Sequence, residues 1–216
     1  MTPPLKVATW VWGTKYNADY VRRWRDGINR NLRQPHDLLI FSPDDDTHYL
    51  TEIKGCFCRL KMFSAEWQEK IGLAPGERLV CTDLDVVFTG PLDPLFDRPE
   101  ELVILGGANA LNPCDFNGSI MMLRGGSNHQ IWSEFSVEKA KKQPFFEFAD
   151  DQQWLFNNLP TAATWRVGKS SGIYSFQKRG WPGNDVLPEG ARCVVFPGWR
   201  DPSKFLKIDW IRENWS

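Results

Sequence analysis

Asp83 and Asp85 stand two residues apart at the end of the apolar run Leu79-Val80-Cys81-Thr82-Asp83-Leu84-Asp85-Val86-Val87-Phe88. Alternate side chains of an extended strand point the same way, so extension through Leu84 would let both carboxylates converge on one hard cation. Magnesium and manganese keep open positions that a substrate diphosphate commonly completes, and the pair therefore suggests a metal and nucleotide site. Open α/β sheets bind ligands outside the carboxyl ends of their strands, which is where the pair falls. Short Asp-x-Asp strings also occur in turns without chemistry, and on these residues alone that reading stays open.

Other polar groups are grouped more loosely. Asn117-Gly118-Ser119 enters an apolar run, Phe116 to Leu123, that reads as a strand. Asn117 offers both donor and acceptor groups to a sugar hydroxyl, and Gly118 would let backbone approach a ligand. The competing reading is a turn in which the pair supplies positive φ. Asp150-Asp151-Gln152 opens an amphipathic helix with Trp154, Leu155 and Leu159 inward, and either aspartate can cap it. Asp44-Asp45-Asp46 follows a proline, so its side chains diverge and it reads as a solvated loop or cap. His36, His48 and His129 lie in separate segments and read as surface or loop side chains. The five cysteines show no disulfide or zinc spacing and read as reduced thiols. Of eleven tryptophans, Trp10, Trp154 and Trp165 sit in apolar patterns, whereas Trp12, Trp181 and Trp199 stand beside Gly or Pro, where aromatic faces are free for substrate.

The elements that must position these groups follow from periodicity. Lys6 to Trp12 reads as a strand, Gly13-Thr14-Lys15-Tyr16 as a loop at its carboxyl end, and 18–32 as a helix capped by Asn17 or Asp19. Tyr20, Val21, Trp24, Ile28 and Leu32 give that helix one apolar face. A strand at 37–41 follows, making a parallel crossover that opens a nucleotide-binding α/β sheet. The first loop lacks both the Gly-x-Gly-x-x-Gly and the Gly-Lys-Ser/Thr spacing, so metal and basic side chains, rather than glycines, must neutralise phosphates. A helix is expected at 64–71, and Gly90-Pro91-Leu92 turns the chain after the Asp83 strand.

With 216 residues, 42% apolar and 25% charged, one domain spanning 1–216 is expected. A net charge of -1 gives no electrostatic case for nucleic acid. The start lacks a signal-peptide pattern and no apolar stretch is long enough to cross a bilayer, so the sequence reads as a soluble, cytoplasmic protein.

Trp12-Gly13-Thr14-Lys15-Tyr16, Thr82-Asp83-Leu84-Asp85-Val86-Val87 with Gly90-Pro91-Leu92-Asp93-Pro94-Leu95-Phe96, Phe116 to Leu123, and Asp150-Asp151-Gln152-Gln153 occur in an order that resembles the nucleotide-sugar glycosyltransferases of the GT-A fold. The likeness is to bacterial relatives of the family-8 type and covers most of the chain. It implies a Rossmann-like α/β fold with a mixed, mainly parallel central sheet. It further implies sugar transfer from a nucleoside diphosphate, UDP favoured, to an acceptor hydroxyl of a glycan or other molecule, with retention of anomeric configuration. Mn²⁺ or Mg²⁺ would bridge the diphosphate through Asp83 and Asp85. Asp151 and Gln152 would line the donor sugar near its anomeric carbon, which leaves Asp150 as the helix cap. Trp12, Gly13, Thr14, Lys15, Tyr16, Asp83, Leu84, Asn117, Gly118, Gly198, Arg200 and Lys204 would form the nucleotide-sugar site.

The chain departs from that pattern near its end. The family carries His-Gly-x-x-Lys-Pro-like segments that supply a metal-ligating His and a diphosphate-binding Lys, whereas the run here is Val194-Val195-Phe196-Pro197-Gly198-Trp199-Arg200-Asp201-Pro202-Ser203-Lys204. The His is missing, Asp201 is its candidate replacement, and Lys15, Arg200 and Lys204 are the cations for the leaving diphosphate. Two alternatives stand beside this reading. A haloacid-dehalogenase-type phosphatase also uses Asp-x-Asp after an apolar strand, with the first Asp as nucleophile, but normally on its first strand. A non-catalytic nucleotide-sugar binding module would keep the fold without turnover.

Overall fold

The computed structural model describes residues 3–42, 55–108, 112–178 and 180–216; the Asp44-Asp45-Asp46 run and His48 lie outside them. The chain opens with β1 (Leu5–Trp10), α1 (Ala18–Asn31) and β2 (His36–Phe41), with β2 parallel to β1 and Leu5 opposite His36. Asn17 caps α1, its Oδ1 accepting from the Asp19 and Tyr20 amides, and Trp24 and Ile28 lie buried on the inner face. Gly27 completes that face. A Cβ there would sit 2.9 Å from the Phe88 ring, so glycine lets the helix pack close.

A 3₁₀ segment, Gly55–Phe63, and α2 (Ala65–Lys70), capped by Ser64, lead to β3 (Arg78–Thr82). Next come β4 (Val87–Phe88), α3 (Asp93–Phe96), β5 (Leu102–Gly106), β6 (Phe116–Arg124), α4 (Gln130–Ser133), α5 (Val137–Lys142) and α6 (Asp151–Asn158). The remaining elements are β7 (Ala163–Arg166), β8 (Ile173–Ser175), β9 (Cys193–Val195), a 3₁₀ turn at Pro202–Phe205 and α7 (Asp209–Asn214).

The main sheet is six-stranded in the order β2-β1-β3-β6-β5-β7; β6 is antiparallel to both neighbours and the other pairings are parallel. A small sheet, β4-β9-β8, lies beside it. Both faces of the main sheet are covered, which explains why its strands are apolar without alternation. Leu79, Cys81, Met121 and Leu123 pack into one cluster with Trp10, Phe63, Trp67 and Trp154. Val80, Ile120 and Met122 pack into the opposite one with Trp24, Phe88 and Trp165.

The end of β3 is fixed from both sides. Trp24 Nε1 donates to Thr82 Oγ1 at 2.6 Å across the buried interface with α1, so the bond that satisfies a buried indole also holds the residue before Asp83. On the β6 side the Asp83 amide donates to the Ser119 carbonyl at 2.9 Å.

Candidate active site

The strand does not continue through Leu84 as the sequence suggested. It ends at Thr82, and the Val86 amide reaches back to the Asp83 carbonyl at 3.4 Å, closing a turn. Leu84, only 1% exposed, supplies that turn with its apolar anchor in the core, so its side chain is not available to a nucleotide. Asp83 and Asp85 are nevertheless close enough to feel one another. Burial, and then the charge of Asp83, push the Asp85 carboxyl up to about 6.

Each carboxylate has its own internal cation. Arg59, from the Gly55–Phe63 segment, donates through NH1 to Asp83 Oδ1 at 2.6 Å and to the Gly118 carbonyl at 2.8 Å. Its Nε donates to Asp151 Oδ2, and NH2 reaches Asp151 Oδ1 at 3.3 Å. Arg59 thus ties the end of β3, the mouth of β6 and the first turn of α6 together. Burial alone would lower its pKa, but Asp151 and Asp83 outweigh that and hold it above the usual arginine value.

On the other side, Lys15 Nζ lies 2.6 Å from Asp85 Oδ2, 3.1 Å from Asp201 Oδ2 and 3.1 Å from the Tyr16 hydroxyl. Tyr16 in turn donates to Asp85 Oδ2 at 3.0 Å. Burial, then Asp85, drives the Tyr16 pKa far above its ordinary value, so it serves as a neutral hydroxyl. Asp201 accepts from the Tyr20 hydroxyl at 2.8 Å and from the Ser203 amide at 3.0 Å, capping its 3₁₀ turn. Burial opposes ionisation of Asp201, but the bonds from Ser203, Tyr20 and Lys15 prevail and lower its pKa.

Asn117, Gln152 and Gly198, from three separate segments, line one cleft of about 170 Å³ with Asp150, Phe146 and Phe148. Gln152 Oε1 accepts from the Gly118 amide at 3.2 Å, and Asn117 Oδ1 from the Ser119 amide at 3.1 Å. Gly118 lies within β6 and carries no positive φ, so the turn reading of Asn117-Gly118 fails. Its glycine has another cause: a Cβ would stand 2.3 Å from Arg59 NH2.

Asp151 is 1% exposed and both of its oxygens face Arg59. It is thus bound to Arg59 and does not border the cleft, whereas Gln152 does. Asp150 caps α6 through the Gln153 amide at 2.8 Å, as read from the sequence; burial, then the charge of Asp151, pushes its pKa up to about 6.

Trp12 and Trp199 are exposed, but Trp181 packs edge-on to Phe176 and is half-buried. Arg200 lies over the Trp199 ring with its Cζ 5.0 Å from the centroid, and Lys204 Nζ donates to the Trp199 carbonyl at 2.7 Å. These two cations follow Gly198 in the chain and contact Trp199 and the Gln177 carbonyl, not Asp83 or Asp85. Gly13 adopts φ +69 and turns the chain out of β1 towards Lys15, with Thr14 exposed between them. His36 and His129 bond to backbone carbonyls, of Gln34 and Phe63, away from the carboxylates. Cys56, Cys58, Cys81, Cys114 and Cys193 are free thiols. Arg59 is the residue that sequence reasoning missed. The signal was one arginine inside Cys56-Phe57-Cys58-Arg59-Leu60-Lys61-Met62-Phe63, since a charge in such a run needs a buried partner.

No family model matches the chain, and neither does any curated protein sequence. Its fold is shared with solved glycosyltransferases of the GT-A type. The galactosyltransferase LgtC, solved with donor and acceptor sugar analogues, superposes with a TM-score of 0.54 at 14% identity, over 92% of this chain and 89% of that one. A glycosyltransferase involved in glycosylation of the major capsid of PBCV-1 gives 0.57 at 12% identity, over 91% and 94%. GlyE from Streptococcus pneumoniae TIGR4 gives 0.52 at 12% identity, over 76% of this chain and only 45% of GlyE; this chain thus spans less than half of that protein's length. At these identities the likeness is one of fold.

Proposed function

We propose that the protein transfers a sugar from a nucleoside diphosphate, a UDP-sugar being favoured, to an acceptor hydroxyl at the carboxyl end of its main sheet. One observation carries the reading. Residues from five separated segments form two sets of ion pairs, Lys15 with Asp85 and Asp201 and Arg59 with Asp83 and Asp151, which meet at the Asp83-Leu84-Asp85 turn, and Arg59 also bonds the Gly118 carbonyl in the strand whose Asn117 lines a cleft with Gln152 and Gly198. Carbohydrate hydroxyls are matched by such amides, which both donate and accept.

The charge balance supports a divalent cation. Among the described residues, Asp83, Asp85, Asp151 and Asp201 contact two cations, Lys15 and Arg59, so four formal negative charges less two positive leave a deficit of two. Asp83 Oδ2 and Asp85 Oδ1 accept no hydrogen bond from a described residue and are the oxygens that would hold Mn²⁺ or Mg²⁺. Among the described residues no third His, Cys, Asp or Glu completes a ligand cluster; diphosphate oxygens and water would supply the remaining ligands. When bound, such an ion neutralises charge on the departing diphosphate. The chain itself holds Asp83 in place through Arg59 and orients the donor sugar through Asn117 and Gln152. Lys15, Arg200 and Lys204 supply further positive charge to the leaving group. One domain, covering the given chain, suffices for this reading.

The phosphatase alternative loses ground because Asp83 follows the third strand, after a complete β1-α1-β2 unit, and is paired to Arg59. Incubation with a panel of UDP-sugars and Mn²⁺ tests the proposal by release of UDP. The wild type should turn over at least one donor, and Gln152→Ala should lose about tenfold or more in rate with UDP affinity retained. Release of inorganic phosphate from a monoester, or no donor turnover, would contradict it.

A further inference from the structure

Lys15 occupies an unusual place. Its ammonium has three N–H groups and faces three oxygens: Asp85 Oδ2 at 2.6 Å, Asp201 Oδ2 at 3.1 Å and the Tyr16 hydroxyl at 3.1 Å. Asp201 is further fixed by Tyr20 and by the Ser203 amide, so the ammonium sits in a built frame rather than on a mobile surface pair. Asp85 is the same carboxylate that the proposed function assigns to the divalent ion, and Asp201 belongs to the only acidic position in the Pro197–Lys204 run.

We propose that Lys15 is a resident counter-ion that competes with the divalent cation for Asp85. An ammonium 2.6 Å from Asp85 Oδ2 and a divalent ion held by the same, largely buried carboxylate would repel one another. Occupation by the metal therefore favours withdrawal of the Lys15 side chain, which is about half exposed and has solvent to move into. A nucleoside diphosphate gives the displaced ammonium a new anionic partner. Metal and nucleotide consequently bind with positive coupling, each lowering the cost of the other. The inference rests on the metal and nucleotide reading of Asp83 and Asp85.

Mn²⁺ binding to the nucleotide-free protein, followed by electron paramagnetic resonance of the free ion, tests it without any turnover. Lys15→Met removes the charge and should bind Mn²⁺ about tenfold or more tightly than the wild type, whereas Lys15→Arg should bind like the wild type. Saturating UDP should tighten Mn²⁺ binding in the wild type and narrow the gap to Lys15→Met. Thermal melts establish that each variant is folded; Lys15→Gln, which keeps hydrogen bonds but no charge, serves with the same expectation if the Met variant does not fold. Equal or weaker Mn²⁺ binding in the neutral variants overturns the competition. Asp85→Asn measured in parallel separates the two levels. Loss of Mn²⁺ in Asp85→Asn with no gain in Lys15→Met rejects only the competition. Identical binding in all variants, or none in any, rejects the metal site as well.

Discussion

Arg59 is the residue on which the site's geometry depends. It is buried, bonded to two carboxylates and a carbonyl, and it fills the space that a Cβ at residue 118 would take. Breaking a buried pair by removing one partner leaves an uncompensated charge, here on the fully enclosed Asp151. Arg59→Met should therefore destabilise the fold by about 3–5 kcal/mol in denaturant titration, and adding Asp151→Leu should restore a large part of that loss. A double variant no more stable than the single one would show that the Arg59 and Asp151 charges are not coupled. At this scale the sequence was legible where chemistry is local. Asp83 and Asp85 stand out by their spacing and Asn117 by the polar opening of an apolar strand, whereas Gln152 was singled out only through the resemblance. Arg59 was not legible because its partners lie 24 and 92 residues away, and nothing in the run around it says which of Arg59 and Lys61 turns inward.

The elements show the same division between local and distant causes. β1, α1 and β2 emerge close to their expected bounds because apolar periodicity and the Asn17 cap are local signals. The antiparallel insertion of β6 between β3 and β5, and the small β4-β9-β8 sheet, depend on pairings that no periodicity records. The early end of β3 has a similar origin, since Leu84 is drawn into the core by residues remote in sequence. Helix α6 offers a test of its own. Asp150 caps it while buried beside Asp151, and its folded pKa of about 6 exceeds the ordinary carboxylate value. A proton held more tightly in the folded state gives a stability contribution that is full below about pH 4 and is lost as pH rises through about 6. Asparagine caps nearly as well and does not ionise. Asp150→Asn should thus melt about 2–4 °C higher than the wild type at pH 7.5, the gap closing towards pH 4. A gap independent of pH, or a less stable variant at pH 7.5, would refute the assignment.

For the whole molecule, a sheet apolar on both faces with its polar groups gathered at one end explains how a chain of net charge -1 carries a strongly charged site. The fold likeness to glycosyltransferases at 12–14% identity follows from the same arrangement, since core packing tolerates wide substitution if pattern and volume are kept. Among the described residues no helix is long and apolar enough to cross a membrane. The central claim is that Asp83 and Asp85 bind a nucleoside diphosphate through a divalent ion. Calorimetric titration with UDP, with Mn²⁺ and then without it, in the wild type, Asp83→Asn and Asp85→Asn, measures that claim directly. The wild type should bind UDP about tenfold or more tightly with Mn²⁺, and each variant should lose that increment while remaining folded. Undiminished Mn²⁺-dependent UDP binding in both variants would contradict the account.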